Sequence, residues 1–286
     1  MSKLCIFHGG CDDGFGAAYA MWRALPETEF YGGAYQQEPP DCSGRDVYLV
    51  DFSYKRPVMG RIIEQAKTVT VLDHHKTAQA EIQPLIEAGA VLGEFDMDRS
   101  GAMMTWNWFH DGPAPRLIEY IQDRDLWRKE LPQCNEVIMA LRSYPQTFNV
   151  WHRLMTRDFS ELLVDGKAIH RYYRTLVDQA KASAQYAMFK GKAQPVPVAN
   201  VPHYLASEVA GELAESHDFA ACFWHNKDGI TWSLRSRDGF DCGAFAATFG
   251  GGGHVGAAGF RESKDNRVVA LIGVMGLAAP AATRRV

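Results

Sequence analysis

The sequence predicts an α/β protein: an N-terminal parallel sheet covered by helices, a helical linker, and a smaller α+β domain at the C-terminal end. Three observations carry this. Short apolar, β-branched runs alternate with helix-like stretches through the first 130 or so residues, the grammar of a parallel sheet with crossover helices. From about 135 to 190 the pattern is helical with little strand character. Further on, two strand-like runs flank a hairpin turn signal. The expected boundaries are residues 1–135, 136–194 and 195–286.

In chain order, Lys3 to Phe7 is the first strand, and Gly14 to Trp22 follows as a helix with small residues early, which lets it approach a sheet closely. Residues 32–44 carry Gly, Pro and Gln and are expected to be loop after a short strand at Phe30 and Tyr31. Val47 to Val50 is a strand, and Val58 to Ala66 a helix with Pro57 at its start. Val69 to Leu72 is a buried strand, and Ala90 to Phe95 another. Ser100 is placed to cap a helix from Gly101 to Phe109. A helix from Arg116 to Gln122 runs into Asp123-Arg-Asp-Leu-Trp127. A long helix from Lys167 to Lys190 is expected to link the domains, broken by Pro195 and Pro197. Phe219 to Trp224 and Ile230 to Leu234 form the hairpin, joined through Asn226-Lys-Asp-Gly229. Cys242 to Phe249 is a short helix, and the tail from Ala278 to Val286 has no pattern.

The chemistry is concentrated where strands stop. The first strand ends at His8, with Asp12 and Asp13 close behind; the second ends at Asp51; the third ends in Asp73, His74 and His75. Open α/β sheets place ligands outside the carboxyl ends of their strands, so parallel strands would gather these groups at one edge. Carboxylates mixed with imidazole suit divalent metals of the manganese type. More acids than one cation needs points to two, roughly 3.5–4 Å apart in two-metal sites. An Asp at one strand end is more often a helix cap; three such ends, two with histidines, favour a metal site. Near the other end of the chain, Gly250, Gly251, Gly252 and Gly253 run into His254. Glycines are used where backbone takes positive φ or approaches a ligand, and successive N–H groups can form an anion nest.

These motifs resemble the DHH phosphoesterase superfamily, and the glycine–histidine run with Ala257-Ala-Gly259 resembles that family's associated C-terminal domain. The two matches fall in the right order and span nearly the whole chain. The resemblance implies two Mn2+ or Mg2+ ions held by His8, Asp13, Asp51 and His74. The family's first motif is commonly a His with acids four and six residues later; here Asp12 and Asp13 stand at plus four and plus five, so Asp12 is a ligand or an exposed neighbour. Asp73 is expected to orient a histidine and His75 to contact phosphate, and with His74 they form the catalytic triplet. Asp123 is expected as the last ligand, with Asp125 in support and Trp127 in the aromatic place four residues on. Arg235, Gly251, Gly252, Gly253 and His254 are expected to bind substrate phosphate, with Arg237 a weaker candidate. The domain order implies a cleft between the two domains.

The leading function is metal-dependent hydrolysis of short oligonucleotides or linear dinucleotides to mononucleotides. RecJ-like exonucleases acting on long strands generally carry larger binding domains. The alternatives are a pyrophosphatase or short-chain exopolyphosphatase, a cyclic dinucleotide phosphodiesterase, and a non-catalytic phosphate-binding module. A base needs an aromatic to stack on, for which Tyr35, Tyr54 and Trp127 are available. The net charge of −4 argues against long duplex DNA as a partner. No apolar run approaches the roughly 20 residues of a membrane span. Six cysteines without a C-x-x-C pair fit reduced thiols and a cytoplasmic location; Cys11 is expected to pack beneath the first loop. A homodimer is compatible with the sequence.

Overall fold

A computed structural model of the chain describes residues 2–34, 37–227, 229–237, 239–263 and 269–272. Tyr35, the central Asp228 of the hairpin turn and the tail from Ala278 lie outside the described residues. The chain forms two compact units, Met1–His170 and Arg171–Val286.

The first unit contains β1 (Lys3–His8), α1 (Asp12–Ala24), β2 (Glu29–Gly33), β3 (Asp46–Val50), α2 (Arg56–Gln65), β4 (Thr68–Asp73), α3 (Lys76–Glu87), β5 (Leu92–Phe95), α4 (Gly101–Phe109), α5 (Arg116–Asp125), α6 (Cys134–Arg142) and α7 (Phe148–Thr156). The five strands are all parallel, in the order β2-β1-β3-β4-β5. Alternation along each strand buries both faces of the sheet. Leu4, Ile6, Val47, Leu49, Val69 and Val71 pack on one side with Met59 and Ile62 of α2 and Ile82 of α3. Cys5, Val50 and Leu72 pack on the other with Ala17 and Met21 of α1. Helix α3, with Pro84 inside it, is an element the sequence pattern does not announce.

The stretch expected to be a separate linker is not one. Val137, Ile138 and Leu141 of α6 and Trp151 and Leu154 of α7 share a core with Phe15 and Tyr19 of α1 and Ile118 and Ile121 of α5. Their apolar faces are therefore spent inside the first unit. Helix α8 (Phe159–Ala182) carries the chain across the boundary and ends eight residues before Lys190.

The second unit contains β6 (Gln185–Phe189), β7 (Val196–Asn200), α9 (His203–Leu213), β8 (Phe219–Asn226), β9 (Gly229–Ser236), α10 (Cys242–Ala247), β10 (Gly252–Gly253), β11 (Ala257–Ser263) and β12 (Val269–Ile272). They form a seven-stranded sheet in the order β10-β11-β9-β8-β7-β6-β12. It is antiparallel except between β7 and β8. Strands β6 and β7 stand where a helix and a proline break were expected. Pro197 is tolerated because the ladder to β8 begins one residue later, at Val198. One face holds Phe189, Phe219, Trp232, Leu234 and Phe260; Val177, Leu205, Val209 and Cys222 belong to a second core. Among the described residues, no helix is long and apolar enough to cross a membrane.

Candidate metal centre

In the order β2-β1-β3-β4-β5 the chain leaves β1 first toward one edge and then returns to build toward the other, so a crevice opens between the carboxyl ends of β1 and β3. His8 ends β1, Asp51 follows β3, and β4 ends in Asp73 with His74 and His75 behind it. Phe7 pairs with Val50 and Val50 with Leu72, so the residues after them stand side by side. Helix α1 adds Asp13 from its first turn, and α5 adds Asp125 from its last.

Asp51 is the hub. It is buried with φ of 54°, a left-handed conformation that costs a residue with a Cβ about 1–3 kcal/mol. Its Oδ1 lies 3.1 Å from His74 Nε2. Its Oδ2 lies 3.6 Å from His8 Nδ1 and is buried without a hydrogen-bond partner. His74 Nε2 also lies 3.5 Å from Asp125 Oδ2 and 3.7 Å from Asp13 Oδ2. Asp13 is aimed by α4: Gly101 N donates to its Oδ2 at 2.6 Å and Ala102 N to its Oδ1 at 3.0 Å. A Cβ on residue 101 would run into Asp51, so only glycine lets that helix start so close to the hub.

Asp73 does a different job. Its Oδ1 accepts from His74 N at 2.8 Å and His75 N at 3.2 Å and lies 2.7 Å from His75 Nδ1. Its Oδ2 accepts from Ser53 Oγ at 2.6 Å. This fully buried carboxylate therefore fixes the His75 ring with Nδ1 turned inward. Ser53 is a supporting residue that sequence reasoning missed, and its only signal is its place two residues after Asp51.

The electrostatics are those of carboxylates and imidazoles crowded into a buried cluster. Burial and the Asp51 and Asp125 carboxylates push Asp13 well above the usual carboxylate range. Withdrawal from water and the Asp51 charge push Asp125 up to about 6. For Asp51 burial acts in the same direction, but His74 and His8 overcome it and hold the group below the usual range. Burial disfavours a charged His74; the hydrogen bond to Asp51 and the surrounding carboxylates outweigh it and lift His74 to about 10. The hydrogen bond to Asp73 likewise outweighs burial and raises His75. Burial pushes the Cys11 thiol well up, with the carboxylates adding to it.

A divalent cation fits this donor set. His8, Cys11 and Asp51 form one group with ligand atoms within 4.8 Å of one another; Asp13, His74 and Asp125 form a second; and Asp51, His74 and His75 form a third. Asp51 Oδ2 is buried without a hydrogen-bond partner, as is Oδ2 of Asp123, and a cation beside His8 would satisfy it. Cys11 is the soft donor of its group, less suited than carboxylate and imidazole to Mn2+ or Mg2+.

Two expected ligands are not brought to the cluster. Asp12 Oδ2 is drawn off to Arg142 Nε of α6 at 2.6 Å. Asp123 turns away along α5 and accepts from Glu130 N through Oδ1 at 2.9 Å. Residues two apart on a helix do not share a face, so the helix can present Asp123 or Asp125, and it presents Asp125.

In the second unit, Arg235 donates from Nε and Nη2 to Ser207 Oγ at 3.2 and 3.1 Å, and from Nη1 to Ser233 Oγ and Leu234 O. Arg237 reaches Glu215 at 2.8 Å. The glycine run has structural work that the sequence does not reveal. Gly250, with φ of 78°, donates to Ala247 O, and Gly251 N donates to Ala246 O, the two bonds of a Schellman closure of α10. Those two N–H groups are therefore not available to an anion nest. Gly252 and Gly253 pair with Gly259 and Ala258. His254 is exposed in the turn that follows, exchanging backbone bonds with Ala257.

No family model matches the chain. It is 30% identical over 287 residues to the uncharacterised protein R106 of Acanthamoeba polyphaga mimivirus, across 91% of this chain and 67% of that protein. Among solved structures, RecJ of Thermus thermophilus in complex with Mn2+ matches at a TM-score of 0.51 and 15% identity, over 92% of this chain and 50% of RecJ. PggH, a pGpG-specific phosphodiesterase of Vibrio cholerae, matches at a TM-score of 0.45 and 12% identity, over 92% of this chain and 94% of that one.

Proposed function

The chain has the fold of RecJ, and from that fold and its strand-end motifs we propose that it is a DHH-superfamily, metal-dependent phosphodiesterase that hydrolyses short oligonucleotides or linear dinucleotides to mononucleotides. The observation that carries the proposal is Asp51: a buried carboxylate at the sheet's switch point, one oxygen without a hydrogen-bond partner, set beside His8 and His74, with Asp13 and Asp125 gathered on His74. His8 and Asp51 would hold one Mn2+ or Mg2+, and Asp13, His74 and Asp125 the other, with Asp51 shared. Ions so placed lower the pKa of bound water and offset phosphoryl charge. RecJ, with the same fold, was solved with Mn2+.

The protein's own contribution is orientation. Asp73 locks His75 through Nδ1, which leaves Nε2 to donate to a phosphate oxygen or to the departing hydroxyl. The hydrogen bond to Asp73 raises the proton affinity of His75 and so favours the doubly protonated ring that such donation needs. Gly101 and Ala102 fix Asp13, so the ligands need not reorganise when the cation charge arrives. The net charge of −4 suits a short substrate better than a long polyanion.

The test is a substrate panel with manganese present: a linear dinucleotide, a longer single strand, a cyclic dinucleotide, pyrophosphate and tripolyphosphate. The expected result is fastest turnover of the dinucleotide with mononucleotides as products. Faster release of phosphate from pyrophosphate or tripolyphosphate would replace phosphodiester with phosphoanhydride chemistry. His74→Ala is expected to lose at least about 100-fold in kcat while keeping its circular dichroism spectrum; near-wild-type turnover would sink the metal assignment.

A further inference from the structure

Cys11 stands between β1 and α1, and we propose that its sulfur is a ligand of the metal subsite at His8 and Asp51 and makes that subsite a zinc site, leaving Asp13, His74 and Asp125 to Mn2+ or Mg2+. His8, Cys11 and Asp51 each offer a ligand atom within 4.8 Å of the other two. Asp51 is 1% exposed, and its Oδ2 has no hydrogen-bond partner. His8 Nδ1 stands 3.6 Å from that oxygen, beyond hydrogen-bond reach. Two ligands on one tetrahedral zinc, with bonds of about 2.0–2.3 Å, stand roughly 3.3–3.6 Å apart. The nitrogen and the oxygen thus already have the spacing that an ion between them would set.

The start of α1 sets the place of the sulfur. Cys11 is the N-cap of that helix, with φ of −112° and ψ of 143°, and its side chain makes no cap hydrogen bond. Ser, Thr, Asp and Asn are preferred there because their oxygen accepts from the first N–H groups of the helix. A thiol forgoes that stabilisation, and here the side chain belongs to the group with His8 and Asp51 instead. The backbone that carries it is held: Phe15 N donates to Cys11 O at 3.1 Å, and Gln146 Nε2 donates to the same oxygen at 3.3 Å. Cys11 is half-buried, whereas the other five cysteines are buried. When the metal–sulfur bond forms, the thiol proton passes to buffer and the thiolate supplies the electron pair.

The two donor sets differ in softness. His8, Cys11 and Asp51 offer nitrogen, sulfur and oxygen, whereas Asp13, His74 and Asp125 offer one imidazole and two carboxylates. Thiolate selects zinc, and carboxylate suits Mg2+ and Mn2+. Three protein ligands of these kinds with a fourth position open is the arrangement of catalytic zinc. This rests on the metal-dependent phosphodiesterase reading and assigns a different ion to one half of its centre.

Zinc outcompetes manganese at almost any site of nitrogen and oxygen ligands, so the decisive quantity is the part of that preference that leaves with the sulfur. The full chain, stripped of metal and kept reduced, is titrated with Co2+ as a spectroscopic stand-in for zinc, and with Zn2+ and Mn2+ by calorimetry. The wild type is expected to show a thiolate-to-cobalt charge-transfer band in the near ultraviolet, absent from Cys11→Ser. Cys11→Ser should weaken zinc binding by at least about 100-fold and manganese binding by less than about 3-fold. Cys11→Asp should keep the circular dichroism spectrum and both ions while lowering the ratio of zinc to manganese affinity by at least about 10-fold. Absence of the band from the wild type, a band that survives Cys11→Ser, or an equal loss of zinc and manganese in that variant overturns the inference. A band through Cys11 with no substrate of the panel cleaved leaves the zinc subsite standing and removes the phosphodiesterase reading. Manganese-supported cleavage of the dinucleotide without the band removes the zinc subsite alone.

Discussion

Asp123 and Asp125 sit two residues apart at the end of α5, and the helix gives them opposite duties. Asp125 faces His74, whereas Asp123 anchors the loop that follows. Asp125→Asn is therefore expected to weaken manganese binding by at least about 10-fold, and Asp123→Asn to lower stability by about 1–3 kcal/mol with a smaller effect on the metal. Calorimetric titration and thermal melts on the same preparations separate the two, and the reverse pattern would restore Asp123 as the ligand. A second expectation concerns protons. Asp125, up at about 6, and His74, at about 10, hold protons that a cation must displace. Manganese affinity should thus climb by about 10- to 100-fold between roughly pH 5.5 and 7.5, with proton release seen in buffers of different ionisation enthalpy; a flat profile contradicts the cluster. The same shift has a stability sign. Asp125 titrates near 3.9 when unfolded, below its folded value, so the folded state binds the extra proton in that window. Without metal, the contribution of Asp125 to stability is lost as pH rises from about 4 to 6.

At the scale of elements, the N-terminus of α4 is where packing and charge meet. Its first two N–H groups hold Asp13, and Gly101 lets the helix touch Asp51. Gly101→Ala should cost about 1–3 kcal/mol through overpacking and weaken manganese binding by pushing Asp51 off its place. Chemical denaturation and titration check both, and an unaltered metal affinity would show that Asp51 tolerates movement. The start of this helix was legible in advance: Ser100 caps it by accepting from Met103 N, and Gly101 to Phe109 is the observed span. The strands β6 and β7 were not legible. A charged helical pattern ran on past Ala182, and two prolines masked a strand that the neighbouring ladders support.

For the whole molecule, ligand binding should show which unit carries the site. Manganese at about 100 times its dissociation constant adds about 2.7 kcal/mol to the state that binds it. Hydrogen exchange is expected to slow after β1, β3 and β4 and at the start of α4, with no gain across Arg171–Val286. Slowed exchange in the second unit would mean that it helps build the metal centre.

What the sequence determined by itself was local. Apolar runs ending in His8, Asp51 and Asp73-His74-His75 specify strands and what they deliver, because a strand's pattern and the residue at its end are adjacent in the chain. The tertiary structure decided everything that depends on partners distant in sequence. Arg142 removes Asp12 from the cluster, 130 positions away. Helix phase selects Asp125 over Asp123. Gly250 and Gly251 close α10 rather than offering free N–H groups, a choice set by the helix before them. The strand order that puts β1 beside β3, and so makes one crevice of three separate motifs, follows from pairings between strands, which no single stretch of sequence contains.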